Sequence, residues 1–597
     1  MRELPAGLVT VDYESAAISA YPDYPPKPCS VAIRWDDGKY EFLAWGHSAG
    51  NNCTFEEAQR AVSRAFQFPC VFHNAQFDLE VARVHMGLPN PREWHDTLYM
   101  AFLCEPHAPS LSLKSLANRL LQNPPEEKDD VLDYGHRVLG YPRSQVMAHI
   151  PEIPADIVGP YAIGDARRTS RLARHFWGVM NERNLWDAYD TERRLAPWLT
   201  ATERRGVRVD RQLLHEWTGQ LQHAILACDA RLRLLLKAPE LNPDANESLI
   251  AALDGAGWVD ATWPTTESGT LSVALPVLHT RLPDELYNLL AYRNKSATML
   301  RTFVTPWLEM SEKDGRIHPA WSPVRTPGDN GTRTGRIASF RPNLANVPNK
   351  QRVDPPEDLK PLPELRRALL PEEGHVWLSA DYSQQELRIL AHYEDGDLMQ
   401  AYQANSRLDL HQYAADLVER RLGVKIDRKS AKILGFSILY GAGIPKVAEQ
   451  LGVSTERAGE LRHAYLKALP GVASLKRDTT RRFSMRTPIR TLGGRVYYAE
   501  APKNGRSFEY RALNYLIQPS AADQTKRAII AACSAMPHAC LVATLYDEIC
   551  FSVPADSVVE HARKLEAAMV GALPMDVPVC VDMDVGPTWG DYEPLEI

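Results

Sequence analysis

With 597 residues, 44% hydrophobic and 24% charged, the chain is long enough for about three to five soluble domains. It has no apolar run of about 18 residues, no apolar stretch at its acidic N-terminus to make a signal peptide, and no C-x-x-C among its nine cysteines. A membrane span, secretion and a zinc framework are therefore not expected, and a cytosolic chain with reduced thiols is. The net charge of −7 argues against attraction to nucleic acid by the molecule as a whole, but leaves local basic patches open.

Residues 1–185 mix strand-like runs (GLVTVDYES, KPCSVAIRW, FPCVFHN) with helical ones, the pattern of an α/β unit. In LVTVDYES, Asp12 and Glu14 are two apart, so a strand would put both on one face. Two like charges side by side need a proton or a cation between them. In FHNAQFDLEVA, Asp78 follows Asn74 at helical spacing, and in PYAIGDARRTSRLARHF, Tyr161 and Asp165 share one face near a helix start. Each of these three sites alone reads as ordinary structure. From Thr191 to Ser311 the apolar period is helical. From Asp314 to Asp329 the chain turns Gly/Pro-rich, and RVDPPEDLKPLPE is a second proline-rich loop. The strand GHVWLSAD then ends near Asp381, helices follow, and LVATLYDEICFSV reads as a hairpin with Asp547 and Glu548 at its bend. Two such strand ends on neighbouring strands would form a second site for magnesium.

The segment RKSAKILGFSILYG repeats a functional side chain every fourth residue: Arg428, Lys432, Phe436, Tyr440, then Gly441. Four residues advance a helix by about 400°, so the four stay on one side over ~18 Å. Cations occupy the N-terminal half, where a helix already attracts anions, and aromatic rings the other half. An elongated ligand with a polyphosphate at one end and a flat base at the other matches that order.

Taken together these segments resemble family A DNA polymerases of the bacterial DNA polymerase I type. DYSQQELR is similar to motif A, RKSAKILGFSILYG to motif B and YDE to motif C, while TGRIASFRPNLANVP and NYLIQPSAAD match further segments and ERRGVRVD the start of the thumb. The D-x-E, N-x-x-x-D and Y-x-x-x-D pattern of the first third resembles the proofreading 3′–5′ exonuclease domain, and the absence of a preceding 5′-nuclease domain resembles the compact phage form. The resemblance implies a multidomain α/β and α+β fold: a ribonuclease H-like exonuclease domain (1–185), then a right-hand polymerase. The latter has a mostly helical thumb and start of palm (186–335), palm with motif A (336–395), helical fingers with motif B (396–520), and palm with motif C in an antiparallel sheet (521–597).

It also implies roles. Asp12, Glu14, Asp78 and Asp165 hold two metal ions about 4 Å apart, and Tyr161 orients the attacking water. Asp381 and Asp547 hold two Mg2+ in the polymerase site, with Mn2+ a substitute, and Glu548 supports them. One metal ion activates the primer 3′-hydroxyl and the other the triphosphate. Arg428 and Lys432 grip phosphates, Lys432 donates a proton to pyrophosphate, Phe436 packs on sugar and base, and Tyr440 closes the pocket. Glu386 is the steric gate against a 2′-hydroxyl, and phenylalanine at 436 disfavours dideoxynucleotides. Arg336, Asn343, Asn514 and Gln518 contact the minor groove, where acceptors are nearly alike for all pairs. The expected partners are primer–template DNA and deoxynucleoside triphosphates, for a monomer in the bacterial or host cytoplasm, with no membrane and any processivity factor unassigned.

The chain departs from the family at Tyr546, where histidine is usual, at Gln385, expected beside the nucleotide pocket, and at Ala345 and Pro519. Other readings are a single-subunit RNA polymerase-like enzyme, and a nuclease or DNA-binding replication protein with a silent polymerase half. Glu386 and the exonuclease acids oppose the first; Asp381, Asp547 and Lys432 oppose the others.

Overall fold

The structure, a computed structural model, describes residues 1–124, 127–266, 268–328, 331–349 and 353–597. Asp329 and Arg352, at the ends of the two proline-rich stretches, lie outside the described residues. The N-terminal unit is built on a sheet of order β3-β2-β1-β4-β5: β1 (Val9–Ser15), β2 (Pro28–Arg34), β3 (Tyr40–Ala44), β4 (Cys70–Phe72) and β5 (Trp94–Asp96). The first three pair antiparallel and the last two run parallel to β1. Helices α1 (Phe55–Ala65), α2 (Ala75–Met86), α3 (Thr97–Cys104), α4 (Leu113–Leu121), α5 (Glu127–Arg137) and α6 (Ala155–Arg183) cover it. The strand-like runs of the sequence are β1, β2 and β4, and their apolar residues fill one core with α3 and α6.

Helix α7 (Trp186–Arg205) leads into β6 (Val207–Val209) and an antiparallel helical pair, α8 (Arg211–Leu235) and α11 (Asp284–Met299). Between them lie α9 (Asn246–Gly255) and α10 (Leu275–Arg281), and α12 (Thr305–Met310) follows. The Gly/Pro-rich stretch holds the short strands β7 (Arg316–Ile317) and β8 (Ala320–Ser322), the latter paired with β9 (Ala338–Phe340). The described part of the second proline-rich loop has neither helix nor strand until just before β10 (Leu369–Leu370).

A second, antiparallel sheet has the order β14-β15-β11-β16-β17. Its centre is β11 (His375–Tyr382). The chain then leaves the sheet through α13 (Gln385–Glu394), α14 (Asp397–Ala404), α15 (Leu410–Leu422), α16 (Arg428–Tyr440), α17 (Ile444–Leu451), α18 (Thr455–Ala468) and α19 (Pro470–Ser484). The ribbon β12 (Ile489–Arg490)–β13 (Val496–Tyr497) precedes the return helix α20 (Ala512–Ala535). The sheet closes with β14 (Cys540–Leu545), β15 (Glu548–Pro554), α21 (Val558–Val570), β16 (Val581–Gly586) and β17 (Glu593–Pro594). The sheet shares one core with the α8–α11 region, while α13–α19 form another. Helix α20 joins them: residues 512–521 pack in the helical core and 528–536 under the sheet. No helix among the described residues is long and apolar enough to cross a membrane.

Candidate active sites

Two clusters of acids form, one on each sheet. In the first, β1 runs beyond β4, which pairs with it only at Val9 and Thr10. The backbone N–H of Tyr13 therefore lacks a strand partner and instead donates to Asp78 Oδ1 of α2 at 3.2 Å. Asp12 and Glu14 face α6, and their carboxylate oxygens and that of Asp165 all lie within 4.8 Å of one another. Asp78 stands outside this trio. Asn74 is not on the α2 helix with Asp78 but precedes it in the left-handed region, φ 72°. Its N–H and that of Ala75 are held by Asp96, at 3.0 and 2.9 Å, so a buried carboxylate fixes the start of the helix that presents Asp78.

Burial and then the charge of Asp165 push the Asp12 carboxyl up to about 8, against the pull of Lys114. Desolvation, then Asp12, raises Glu14 and Asp78 as well. Lys114 had no signal in the sequence, being far from all the motifs. Its Nζ donates to Asp165 Oδ2 at 2.5 Å and to the Tyr161 hydroxyl at 2.9 Å, and sits 4.5 Å from the Tyr161 ring centre. Buried Arg168 holds the other Asp165 oxygen at 3.2 Å. An all-oxygen carboxylate set crowded enough to retain protons fits a hard divalent cation.

In the second cluster, Asp381 pairs with Glu548 of β15 on one side and Asp582 of β16 on the other. Asp547 lies in the two-residue bend between β14 and β15, and its carbonyl accepts from Tyr382 N–H at 3.3 Å. The strand ends therefore meet. Desolvation, then the charges of Asp547 and Glu548, push Asp381 up to about 8, although part of the residue is exposed to solvent. Desolvation raises Asp547 too. Glu548 is turned toward the sheet, accepting from Ser379 Oγ at 2.6 Å and Trp589 Nε1 at 3.2 Å. That fits support better than direct ligation.

Beside these acids a cleft of about 400 Å³ is lined by Arg428, Lys432, Phe436 and Tyr440 of α16, with Asp547, Glu386 and Arg336 opposite. The stripe read from the sequence is one helix face. Asp427 caps its start, accepting from Ser430 N–H at 2.7 Å. Gly441 ends it at φ +71°, where a Cβ would lie 2.6 Å from the Tyr510 ring. Phe436 and Tyr440 stack with planes 8° apart. Arg428 pairs with Asp409 at 2.5 Å, and Lys432 is exposed to the cleft with no acid paired to it among the described residues. His411 lies 5.6 Å from the Phe436 ring; desolvation and the cations Lys432 and Arg428 hold it down at about 4 despite Asp409, so it is neutral. Gln384, Asp409 and His411 line the cleft and were not singled out in the sequence; Asp409 is legible as a helix cap before LHQY.

Glu386 is buried and accepts from Tyr440 Oη at 2.6 Å and from Arg336. Arg336 also lies 4.8 Å over the Tyr546 ring, and Tyr546 is half exposed with φ 59°. Gln385 corrects the sequence reading: it does not line the cleft. Its amide is buried against α20, donating to Ala521 O, Gln524 Oε1 and Thr525 Oγ1 at 3.2, 3.0 and 3.2 Å. Residue 385 points about 100° around α13 from Glu386, and that rotation turns it inward. Asn343 is exposed and caps the short turn after it, accepting from Ala345 N–H at 3.0 Å. Asn514 and Gln518 stand one turn apart on α20, both partly buried, and Asn514 Oδ1 has no hydrogen-bond partner among the described residues.

Comparisons with known proteins follow this layout. Residues 212–591 match the family model described as DNA polymerase family A, and residues 2–181 one described as 3′-5′ exonuclease. The chain is 26% identical over 639 residues to the DNA polymerase DpoZ of Salmonella phage PMBT28, covering 98% of this chain and 97% of that protein. It is 28% identical to DNA polymerase I of Chloroflexus aurantiacus, over 95% of this chain and 59% of the relative. A solved structure titled as the POL domain of Pol1 from M. smegmatis, in complex with DNA primer-template and dNTP, superposes with a TM-score of 0.78. It covers 98% of this chain and 96% of that one at 22% identity, a likeness of fold.

Proposed function

We infer the activity from the premise that the chain belongs to DNA polymerase family A and carries a 3′-5′ exonuclease domain. The protein extends a primer 3′ end on a DNA template from deoxynucleoside triphosphates, and removes misplaced nucleotides with its N-terminal domain. The observation that carries this reading is the single cleft in which the α16 stripe faces Asp547 and Glu386 beside Asp381. In this reading residues 1–185 are the exonuclease, 186–335 thumb and start of palm, 336–395 and 521–597 palm, and 396–520 fingers. Separate cores support setting the exonuclease and the fingers apart, while the thumb and palm share one core.

Arg428 and Lys432 bind the triphosphate, at the helix end where backbone N–H groups add to their charge. Lys432, with no competing acid, donates the proton to the leaving pyrophosphate. Phe436 and Tyr440 form an aromatic shelf for the base. Glu386, braced by Tyr440 and Arg336, fills the space of a 2′-hydroxyl. Tyr546, Asn343, Asn514 and Gln518 meet the primer–template duplex, and Arg336 joins them when it leaves Glu386. Asp381 and Asp547 hold divalent ions in the polymerase site, and Asp12, Glu14, Asp165 and Asp78 in the exonuclease site. Mg2+, or Mn2+ in its place, when bound there supplies a Lewis acid that activates the attacking oxygen and stabilises the leaving one. In the exonuclease site Tyr161, fixed by Lys114, orients the water. The protein acts as a cytoplasmic monomer on primer–template DNA.

The test is extension and shortening of a labelled primer with and without deoxynucleotides. Asp381→Ala abolishes extension and spares excision; Asp12→Ala does the reverse. Extension by the first variant, or excision by the second, overturns the corresponding assignment.

A further inference from the structure

A groove of about 1,000 Å³ runs between α18 and α19, away from both acid clusters. His463, Lys467, Lys476, Arg477 and Arg481 line it, with no carboxylate among the lining residues. Asp478, on α19, pairs among the described residues only with Arg481, at 3.5 Å on the surface. Among the described residues Lys467, Lys476 and Arg477 have no acid within ion-pair distance. In a chain with 75 acids and 68 basic residues, uncompensated cations gathered along one groove make a local basic patch. Desolvation, then the nearby charge of Arg462, holds the Lys476 ammonium below its usual range, a penalty that an anion in the groove would relieve. Leu466 and Ala473 give the floor an apolar surface.

One arginine ties the wall of the groove to the end of α16. Arg462, next to His463 on α18, donates to the carbonyl of Ala442 at 2.8 Å, two residues beyond Tyr440. Arg462, whose charge also reaches Lys476, thus sets the α18 wall of the groove near the C-terminal end of α16, the end opposite Arg428 and Lys432. With a nucleotide laid along α16, phosphates at Arg428 and base at Tyr440, the template strand passes the Tyr440 end on its way in. We propose that the α18–α19 groove binds the phosphodiester backbone of the single-stranded template ahead of the nascent base pair. Cations on the rim take phosphates, and the apolar floor takes sugar or base edges. The inference rests on the polymerase reading above.

The test uses the full chain and two primer–templates with the same duplex, one with a one-nucleotide template overhang and one with an overhang of about a dozen. The triple variant Lys467→Gln, Lys476→Gln, Arg477→Gln is compared with the wild type and with Arg482→Gln, an exposed arginine outside the groove. Affinity is read by fluorescence anisotropy across a salt series. The triple variant is expected to lose roughly tenfold affinity at low salt on the long overhang only, and its salt slope there falls by about 2, at about 0.7 per single-strand phosphate. Equal loss on both substrates, no loss, or the same loss in Arg482→Gln overturns the groove. Failure of the wild type to extend the short-overhang primer sinks the polymerase reading itself, and that outcome is distinct from every groove result.

Discussion

Glu386 is held from two sides, by the Tyr440 hydroxyl at 2.6 Å and by the Arg336 guanidinium. Shortening it removes a buried side chain and both braces at once. Glu386→Ala should lower the ratio of kcat/KM for deoxynucleotide over ribonucleotide by roughly 10–100-fold, the range that steric pocket contacts supply; an unchanged ratio puts the gate elsewhere. Lys114 is the matching case in the exonuclease site. Hydrogen bonds to charged groups contribute about 1.5–3 kcal/mol, so Lys114→Met should slow excision about 10–100-fold while extension keeps its wild-type rate. Unchanged excision at saturating Mg2+ would reduce Lys114 to a counter-charge for the metal-free acids. The two residues also differ in how well the sequence reveals them. Glu386 follows Asp381 in a motif, whereas Lys114 reaches Asp165 only because α4 packs against α6, and no local spacing encodes that contact.

Helices were the most legible elements. The fourfold spacing in α16 maps directly onto one face because helix geometry is local, and Asp427 and Gly441 bound it with ordinary caps. What failed was orientation at an irregular start. Gln384 adopts φ 56° just before α13, and this turn decides that Glu386 looks into the cleft while Gln385 looks into α20. Asn74 at φ 72° likewise breaks the expected helical pairing with Asp78. Contacts between distant elements were also invisible. Glu192 of α7 meets Lys526 of α20 at 2.6 Å and also Arg495 of the β12–β13 ribbon, and Arg495 meets Asp523 at 2.8 Å; all four are buried. Glu192→Gln leaves Lys526 and Arg495 in the interior with less opposing charge. Breaking such a cluster typically costs about 3–5 kcal/mol, so the variant should melt at a lower temperature and exchange amides of α20 faster. An unchanged melting temperature would mean that the helices are joined by their apolar contacts alone.

At the scale of the whole molecule, the two acid clusters tie folding to pH and to metal in the same direction. Asp12 and Asp381 hold their protons up to about 8 in the folded chain, against about 4 for an unfolded aspartate. Between those values the native state binds protons that the unfolded state has released, so these carboxyls cost the metal-free protein stability as pH rises from about 4 to about 8 and level off above, while His73, His95 and His411, held down at about 4 by desolvation, act in the opposite sense up to about pH 6.5. Lys526, held down to about 8 by burial, acts only above that pH and in the opposite sense. A divalent cation that takes the ionised acids reverses the trend, because the sites are empty of protons where it binds best. Mg2+ at about 100 times its dissociation constant adds ~2.7 kcal/mol per site. Thermal scans should therefore show the metal-free chain melting lower at pH 8.5 than at pH 6, and Mg2+ raising the melting temperature more at pH 8.5. The double substitution Asp12→Asn, Asp381→Asn should flatten both dependences. A Mg2+ shift that is equal at the two pH values, or that survives in the double variant, would place the metal away from these carboxylates and detach the two sheets from the chemistry assigned to them.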